Sequence, residues 1–471
     1  MVTVRLNPAP LTLRGSYQEV YAAFGPPRAG KSNWLAQVAL DAPGACLVTS
    51  TRADLAMHTA KARSGTGPVR FLNPGLDGGF PSNLHWSPLA GCGDPRMAME
   101  AAGALIHAAP HDTSGKDAYW DHQSKVALQC FLHAAALTPG ADITIVRRWA
   151  SDPIWAGKAL EALRRHGAPG WADTLYGLIE RSTSDERYWS AISSGAVTAL
   201  AWLDDPALAD LACPLPGGEF DARQFIRDRG TVYVIGGDTP HNPQSPYFAC
   251  FATCLWSTAK RMAADPAEPA SHGLKLDPVF TPVIDEPAIT CPVPLDRWAT
   301  ESAGHGIVLV TGFQSDAQLR QMFGEHAGQV LEDVITVKLV FGGVTGAIAE
   351  KASKWGGDQD TWHGTKANLR QERAFPPERI CGLPVGSVFI KHRSTRAFIA
   401  RLGRVEDHPR YEPASPADFP ADVRAPVPQP AIEAPRRAPI APPYSPPAIT
   451  DIPEEVPAWR HPAVPASSAA S

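Results

Sequence analysis

The chain lacks any run of the roughly 18 to 20 uninterrupted apolar residues that a membrane-spanning helix needs. Its opening, MVTVRLNPAPLTLRGSY, has neither a basic start leading into an apolar stretch nor a small-residue cleavage site, so the expected compartment is the cytoplasm. A surplus of positive charge is also missing. The formal net charge is -5, from 43 Lys and Arg against 48 Asp and Glu, which argues against a uniformly basic coat for nucleic acid. It does not exclude DNA, because a ring or channel can concentrate cations inside an acidic protein. Clustered cysteine is absent: the eight cysteines are scattered singly, and the closest pair, Cys250 and Cys254, lies in an apolar helix-like run with no partnering His or Cys. They read as reduced core thiols, neither a zinc site nor a disulfide framework. No internal repeat is evident. What is present is length and apolar content, 471 residues at 44% hydrophobic, enough core for two or three domains.

The order of elements gives a fold class. Short apolar β-like runs alternate with helical ones at the start: Val20 to Phe24, a Gly-rich turn, a helix through Trp34 to Leu40, then Ala45 to Val48 and Val69 to Leu72. Such alternation predicts βαβ units and a parallel sheet. From Pro95 to about Leu211 the apolar period becomes helical, broken by Pro, Gly and Asp turns. β-like runs return at Gly230 to Ile235, Val279 to Ile284, Gly306 to Thr311 and Val334 to Phe341, with helices expected over Tyr247 to Ala263 and Ser315 to Phe323. The expectation is an α/β P-loop core in two parts, residues 1–92 and 216–410, around an all-α insertion at 93–215. The remainder, 411–471, is Pro- and Ala-rich with few aromatic or β-branched residues; it cannot bury enough surface to offset its ordering entropy and is expected to be a disordered tail of polyproline II character.

Gly25-Pro26-Pro27-Arg28-Ala29-Gly30-Lys31-Ser32 fits GxxxxGK[ST] and lies where that pattern has meaning, after a β-run and at the start of a helix. Backbone N–H groups over Gly25, Arg28, Ala29, Gly30, Lys31, Ser32 and Asn33 are expected to wrap the phosphates of ATP; Pro26 and Pro27 have no N–H and only shape the loop. Lys31 supplies a point charge to the β and γ oxygens, and Ser32 a ligand for Mg²⁺. A metal anchor and a water-activating group are then required at the end of a second β-run. FTPVIDEP meets that need, with Asp285 holding Mg²⁺ and Glu286 as general base. Pro282 is an objection, since it removes a ladder hydrogen bond. About thirty residues on, GIVLVTGFQS ends a β-run in Gln314, which either faces the γ-phosphate or its water, or stands exposed beside a helix cap by Ser315.

The succession GPPRAGKS, LHWSPLAG, RDRGTVYVIGG, VIDEPA and AGHGIVLVTGFQSDAQLRQMFG resembles the type IV secretion coupling ATPases of bacterial conjugation, the TraG/TraD-like family, over roughly Tyr17 to Leu402. FPPERICGLPVGSVFIKHRSTRAFIARL is similar to that family's closing hairpin. The resemblance implies a RecA-like motor core with an all-α domain, a hexameric ring, and movement of DNA with attached protein to a secretion channel. Relaxase and channel proteins would be its partners, and recruitment to the inner face of the cell membrane would follow. Two departures stand out. The family's membrane-spanning region has no counterpart, and where the family places an Arg before the Gly-Ile strand this chain has Glu301-Ser302-Ala303-Gly304-His305. Arg297 and Arg320 are the nearest substitutes for an arginine acting in trans; each also reads as a surface Arg on a helix. Two rivals to the motor remain, a nucleotide-gated adaptor that does not pump and a DNA packaging or partition translocase.

Other features carry less. Trp120, Trp149, Trp155, Trp171, Trp189 and Trp202 either stack on bases or, at helical spacing, fill the core. Lys391-His392-Arg393-Ser394-Thr395-Arg396 either touches a phosphate backbone or is a solvated strand edge. Asp117, Asp121 and His122 read as a solvent-exposed helix face, and Arg436 with Arg437 as part of a spacer.

Overall fold

The computed structural model describes residues 2–5, 12–110, 118–214, 218–237, 242–270, 275–344, 346–362 and 369–420. A hairpin of β1 (Val2–Arg5) and β2 (Thr12–Gly15) precedes β3 (Tyr21–Phe24). Helix α1 (Lys31–Asp41), β4 (Cys46–Ser50), α2 (Asp54–Ser64) and β5 (Val69–Leu72) complete the first βαβ units. A helical stretch follows: α3 (Pro95–Ala108), α4 (Ala118–Ala136), α5 (Ile143–Ser151), α6 (Pro153–His166), α7 (Trp171–Ser184), α8 (Glu186–Ala199) and α9 (Pro206–Ala212). The Asp turns of the sequence are its N-caps: Asp94, Asp142, Asp152, Asp185 and Asp205 each accept a backbone N–H from two residues on.

The chain then returns to the sheet through α10 (Ala222–Arg227), β6 (Thr231–Ile235), α11 (Ser245–Ala264), β7 (Thr281–Asp285), α12 (Leu295–Ser302), β8 (Val310–Phe313), α13 (Asp316–Val334) and β9 (Val337–Phe341). Helix α14 (Gly346–Gly356), a hairpin of β10 (Asp358–Trp362) and β11 (Leu369–Arg373), α15 (Pro377–Cys381), β12 (Ser387–His392) and β13 (Phe398–Arg401) follow. The nine-stranded sheet has the order β13-β12-β9-β3-β8-β7-β4-β6-β5. Strands β9, β3, β8, β7, β4, β6 and β5 pair in parallel, and β12 joins β9 antiparallel. This is the α/β architecture expected. Its central strands β3, β4, β6 and β7 are buried on both faces, which is why they read as continuous apolar runs without alternation.

Alternate residues of each strand feed two cores. Tyr21, Ala23, Val48, Phe71 and Val283 pack with α1 and α2 on one face. Ala22, Phe24, Leu47, Val232 and Ile284 pack on the other with α11 and the helical insertion, so that insertion shares one hydrophobic cluster with the sheet. Trp149, Trp189 and Trp202 are buried in it, whereas Trp155 is 43% exposed. Among the described residues no helix is long and apolar enough to cross a membrane.

Three boundaries differ from the sequence-based expectation. Strand β8 begins at Val310 and not at Gly306, because Pro282 in the neighbouring β7 has no N–H; the pairing is split into an isolated bridge Phe280 to Ile307 and a ladder that starts at Val283 to Val310. Helix α13 runs on to Val334, through a break at Gly324, and so takes the residue expected to open β9, which starts at Val337. The third concerns the tail, expected from residue 411. Tyr411, Ala414 and Phe419 instead pack on the face that carries α1 and α2. Phe419 meets Phe71 edge-on at 5.1 Å, the Ala414 N–H donates to Met57 O at 2.7 Å, and Lys61 pairs with Glu412 and Asp418 at 3.2 and 3.5 Å. Composition averaged over sixty residues conceals these few anchors. Arg436, Arg437 and the rest of the tail beyond Pro420 lie outside the described residues, as does Asp117.

Candidate functional site

The phosphate loop leaves the C-terminal end of β3 and enters α1, so the helix N-terminus and the loop's N–H groups face the crevice above the sheet. Gly30, the N-cap, has φ 112°, a conformation an L side chain rarely adopts, and its Cα face lies against the Phe341 ring. Arg28 also takes the left-handed region, at φ 64°, and is exposed. The Lys31 side chain turns back under the loop, where its ammonium donates to Gly25 O at 2.6 Å and Pro26 O at 3.2 Å. Burial pulls the Lys31 pKa below its ordinary value, opposed by the charges of Asp285 and Glu286. Ser32 is exposed at the first turn.

The sheet order places β8 and β7 beside β3 and thereby brings together residues more than 250 positions apart in sequence. Asp285 ends β7 beside Gly312 of β8, and a Cβ on that glycine would stand 2.5 Å from Asp285 Oδ1. Gly312 is what lets the carboxylate lie flat over the neighbouring strand. Asp285 Oδ1 is buried and has no hydrogen-bond partner among the described residues. Burial, reinforced by Glu286 and opposed by Lys31, pushes the Asp285 pKa up to about 7. Glu286 adopts φ 49°, a strained backbone for a non-glycine residue, fixed by its N–H donating to Gly312 O at 3.0 Å. Gln314, one residue beyond β8, donates from Nε2 to Glu286 Oε1. Ser315 caps α13 by accepting the Gln318 N–H at 3.3 Å, as one of the two readings expects, but Gln314 is not exposed beside that cap: it is partly buried and turned to Glu286.

Some expected residues lie elsewhere. Asn33 does not turn its side chain to the phosphate cradle; its amide donates to Gly403 O at 2.9 Å and accepts the Val405 N–H at 2.7 Å, binding the segment after β13 to α1. Arg297 lines a cleft of about 510 Å³ with Met99, Glu100, Trp256 and Lys260, on the side of the helical insertion. Arg320 sits on α13, the helix that starts beside Gln314. The basic turn 391–396 lies at the opposite end of the strands from the phosphate loop, since His392 pairs with Val337 at the N-terminal end of β9, which runs parallel to β3. There Lys391 Nζ donates to Thr395 O at 2.7 Å and His392 pairs with Glu19. Asp121 lines a small cavity of about 290 Å³ with Trp120 and Ser124, and His122 is exposed. What sequence reasoning missed is the backbone strain at Arg28 and Glu286, for which a one-dimensional pattern holds no signal.

The fit of these residues to a magnesium nucleotide can be judged from the donor set alone. Among the described residues, a buried carboxylate oxygen without a hydrogen-bond partner, an ammonium that donates to two loop carbonyls, and an exposed hydroxyl at a helix N-terminus are the groups such a ligand requires.

Comparison with known proteins adds three observations. Residues 280–380 match the family model described as the TraM recognition site of TraD and TraG. A search of curated protein sequences finds no match. Among solved structures, the chain is similar to a bacterial conjugative coupling protein, TrwBdeltaN70, in its unbound form, at 16% identity and TM-score 0.63, covering 87% of this chain and 91% of that one. It is likewise similar to plasmid coupling protein TrwB in complex with ADP and Mg²⁺, at 13% identity and TM-score 0.62 over 87% and 91% of the two chains. TrwB with a non-hydrolysable ATP analogue matches at 14% identity and TM-score 0.62 over 88% and 93%. The chain thus has the fold of the solved conjugative coupling proteins and carries, at residues 280–380, a match to the segment described as the TraM recognition site of TraD and TraG, in line with the resemblance its motifs suggested.

Proposed function

We propose that this protein is a Mg²⁺-dependent ATPase that drives DNA, with attached protein, toward a type IV secretion channel. The observation that carries the reading is the meeting of Lys31, Asp285, Glu286 and Gln314 at the ends of three adjacent parallel strands. TrwB, of the same fold, has been captured with ADP and Mg²⁺ and with an ATP analogue.

In this reading Ser32 and Asp285 hold Mg²⁺, which would offset phosphate charge when bound. Backbone N–H groups of Arg28, Gly30, Lys31 and Ser32 cradle the phosphates, whereas the expected N–H of Gly25 is spent on Phe313 O at 3.1 Å and that of Ala29 on Pro26 O at 3.3 Å; Lys31 meets the β and γ oxygens. Glu286, its side chain oriented by Gln314 and its backbone held by Gly312, accepts a proton from the attacking water. A strained residue is the natural place for such a base, because φ 49° aims the carboxylate off the strand end in a way an extended backbone would not. The family segment at 280–380 supports a relaxosome protein as partner, and the fold supports a hexameric ring around the DNA.

The test is ATP turnover by purified protein with and without DNA, at several salt concentrations, since phosphate contacts make DNA binding salt-dependent. Turnover stimulated by DNA and lost in Lys31→Ala is expected. In Glu286→Gln, Mg-ATP should still bind while hydrolysis falls by about 100-fold or more. Turnover indifferent to DNA would defeat the motor in favour of a nucleotide-gated adaptor.

A further inference from the structure

In the proposed reading, the flank of the phosphate loop formed by β8 and β7 belongs to the terminal phosphate. Strand β8 stops there at Phe313, level with its neighbours: Phe313 pairs with Phe24 of β3, and Gly312 with Asp285 of β7. The last ladder contacts are the Gly25 N–H to Phe313 O at 3.1 Å on the β3 side and the Glu286 N–H to Gly312 O at 3.0 Å on the β7 side. Gln314 lies one residue past both. The sheet therefore does not fix the Gln314 backbone, although its side-chain amide is the group that meets Glu286.

What holds that backbone is Gln318, in the first turn of α13. Gln318 Oε1 accepts the Gln314 N–H at 3.1 Å, while the Gln318 N–H donates to Ser315 Oγ at 3.3 Å. Ser315 and Gln318 have the spacing of a capping box, in which the side chain at the third helical position returns to the N–H of the cap residue itself. Here it returns to the residue before the cap. A helix end is already served by the Ser315 hydroxyl; the displaced hydrogen bond serves Gln314. Leu319, the next residue, is buried and anchors the turn from which Gln318 reaches. A continuous path then runs from α13 to the acidic pair, through Gln318 Oε1, the Gln314 backbone, Gln314 Nε2 and Glu286 Oε1. We propose that Gln318 is a positioning residue for hydrolysis: through the Gln314 backbone it sets the amide that orients Glu286, and so makes turnover depend on how α13 is seated.

The proposal rests on the ATPase reading, and kinetics on the full chain separate the two. Gln318→Leu fills similar space without an acceptor. It is expected to lower kcat by about 10-fold while Mg-ATP affinity, measured by calorimetry, stays that of the parent, because the loss is one of orientation and not of binding. Gln318→Glu keeps an oxygen at the same reach and is expected to stay within about threefold of the parent kcat. Melting temperatures of both variants and of Ser315→Ala, which removes the cap and leaves the Gln318 side chain in place, show what the helix end alone contributes. The deciding measurement is made in Gln314→Ala, which has no amide left to orient. Adding Gln318→Leu there should lower kcat no further, whereas a residue that only stabilises α13 would cost about the same 10-fold in either background. Parental kcat in Gln318→Leu, equal losses in the Leu and Glu variants, or an undiminished loss in the Gln314→Ala background would each overturn the positioning role and leave the ATPase reading standing. A parent that binds Mg-ATP and never turns it over would overturn that reading, and this one with it.

Discussion

Asp285 holds its proton at a pH where most carboxylates have lost theirs, and the sign of the consequence can be worked out. Its ordinary pKa is 3.8 and burial beside Glu286 pushes it up to about 7. Between those values the folded chain binds a proton that the unfolded chain has released, so the group's contribution to stability declines as pH rises through the window. Asparagine keeps the shape without the ionisation. Ligand-free Asp285→Asn is therefore expected to be more stable than the parent at pH 8, by about 2 to 4 kcal/mol, with the gap closing toward pH 4. Urea titrations at both pH values measure it, and a gap independent of pH would place the carboxylate in a more polar setting. If Asp285 holds Mg²⁺ as proposed, the same substitution is expected to weaken Mg²⁺ dependence, and stability and function then move in opposite directions at one side chain. Gly312 belongs to that balance. A methyl group there would stand 2.5 Å from Asp285 Oδ1, and Gly312→Ala is expected to displace the carboxylate and raise the Mg²⁺ concentration needed for half-maximal turnover.

At the scale of elements, the segment after β13 is a strap across α1 and α2. Besides the Asn33 clasp, His408 Nε2 lies 3.0 Å from Asp41 Oδ1, Arg410 donates to Leu40 O and Thr66 Oγ1 at 2.6 Å each, and Phe419 closes over Phe71 and Phe80. Removing residues 411–471 is therefore expected to lower the melting temperature by a few degrees relative to removing 421–471 alone, since two half-buried aromatics and their neighbours contribute about 1 to 2 kcal/mol. Equal melting temperatures would show the strap to be dispensable. Sequence gave no access to this contact because Phe419 and Tyr411 are isolated among prolines, and a lone aromatic has no periodicity. By contrast the phosphate loop, the acidic pair and Gln314 were legible, since each stands at a strand end where local pattern and chemistry coincide. Asn33 shows the limit: its place after Lys31-Ser32 puts its backbone at the cradle, while its side chain answers to residues 370 positions away. Pro282 gives a third case, in which a known local rule was right in kind and its effect fell on the neighbouring strand β8.

For the whole molecule the open term is the charge that develops on the transferred phosphoryl group. In the proposed reaction Lys31 and a bound Mg²⁺ would offset part of it, and in such enzymes an arginine from a neighbouring subunit typically contributes about 10³-fold or more in rate. No Arg occupies residues 301–305. Of the two substitutes, Arg297 lines the cleft against the helical insertion, beside Trp256 and Lys260. Arg320 rides on α13, whose first turn adjoins Gln314 and the terminal-phosphate flank, so it is the better placed to serve a subunit interface at that flank. If it acts across a ring, it serves the neighbour's site and not its own, and two crippled proteins can rescue each other. Lys31→Ala has no working site but retains its Arg; Arg320→Ala retains its phosphate loop but has no Arg to donate. Each alone is expected to turn over ATP at least 100-fold below the parent in the presence of DNA. Mixed in equal amounts, they assemble rings in which an intact phosphate loop faces an intact Arg320, and turnover rises well above the sum of the two. Light scattering with nucleotide and DNA establishes that mixed oligomers form under the assay conditions. Rescue by Arg320→Ala and none by Arg297→Ala identifies the residue; mixed rings without rescue would place the missing charge in cis and remove the chemical reason for a ring.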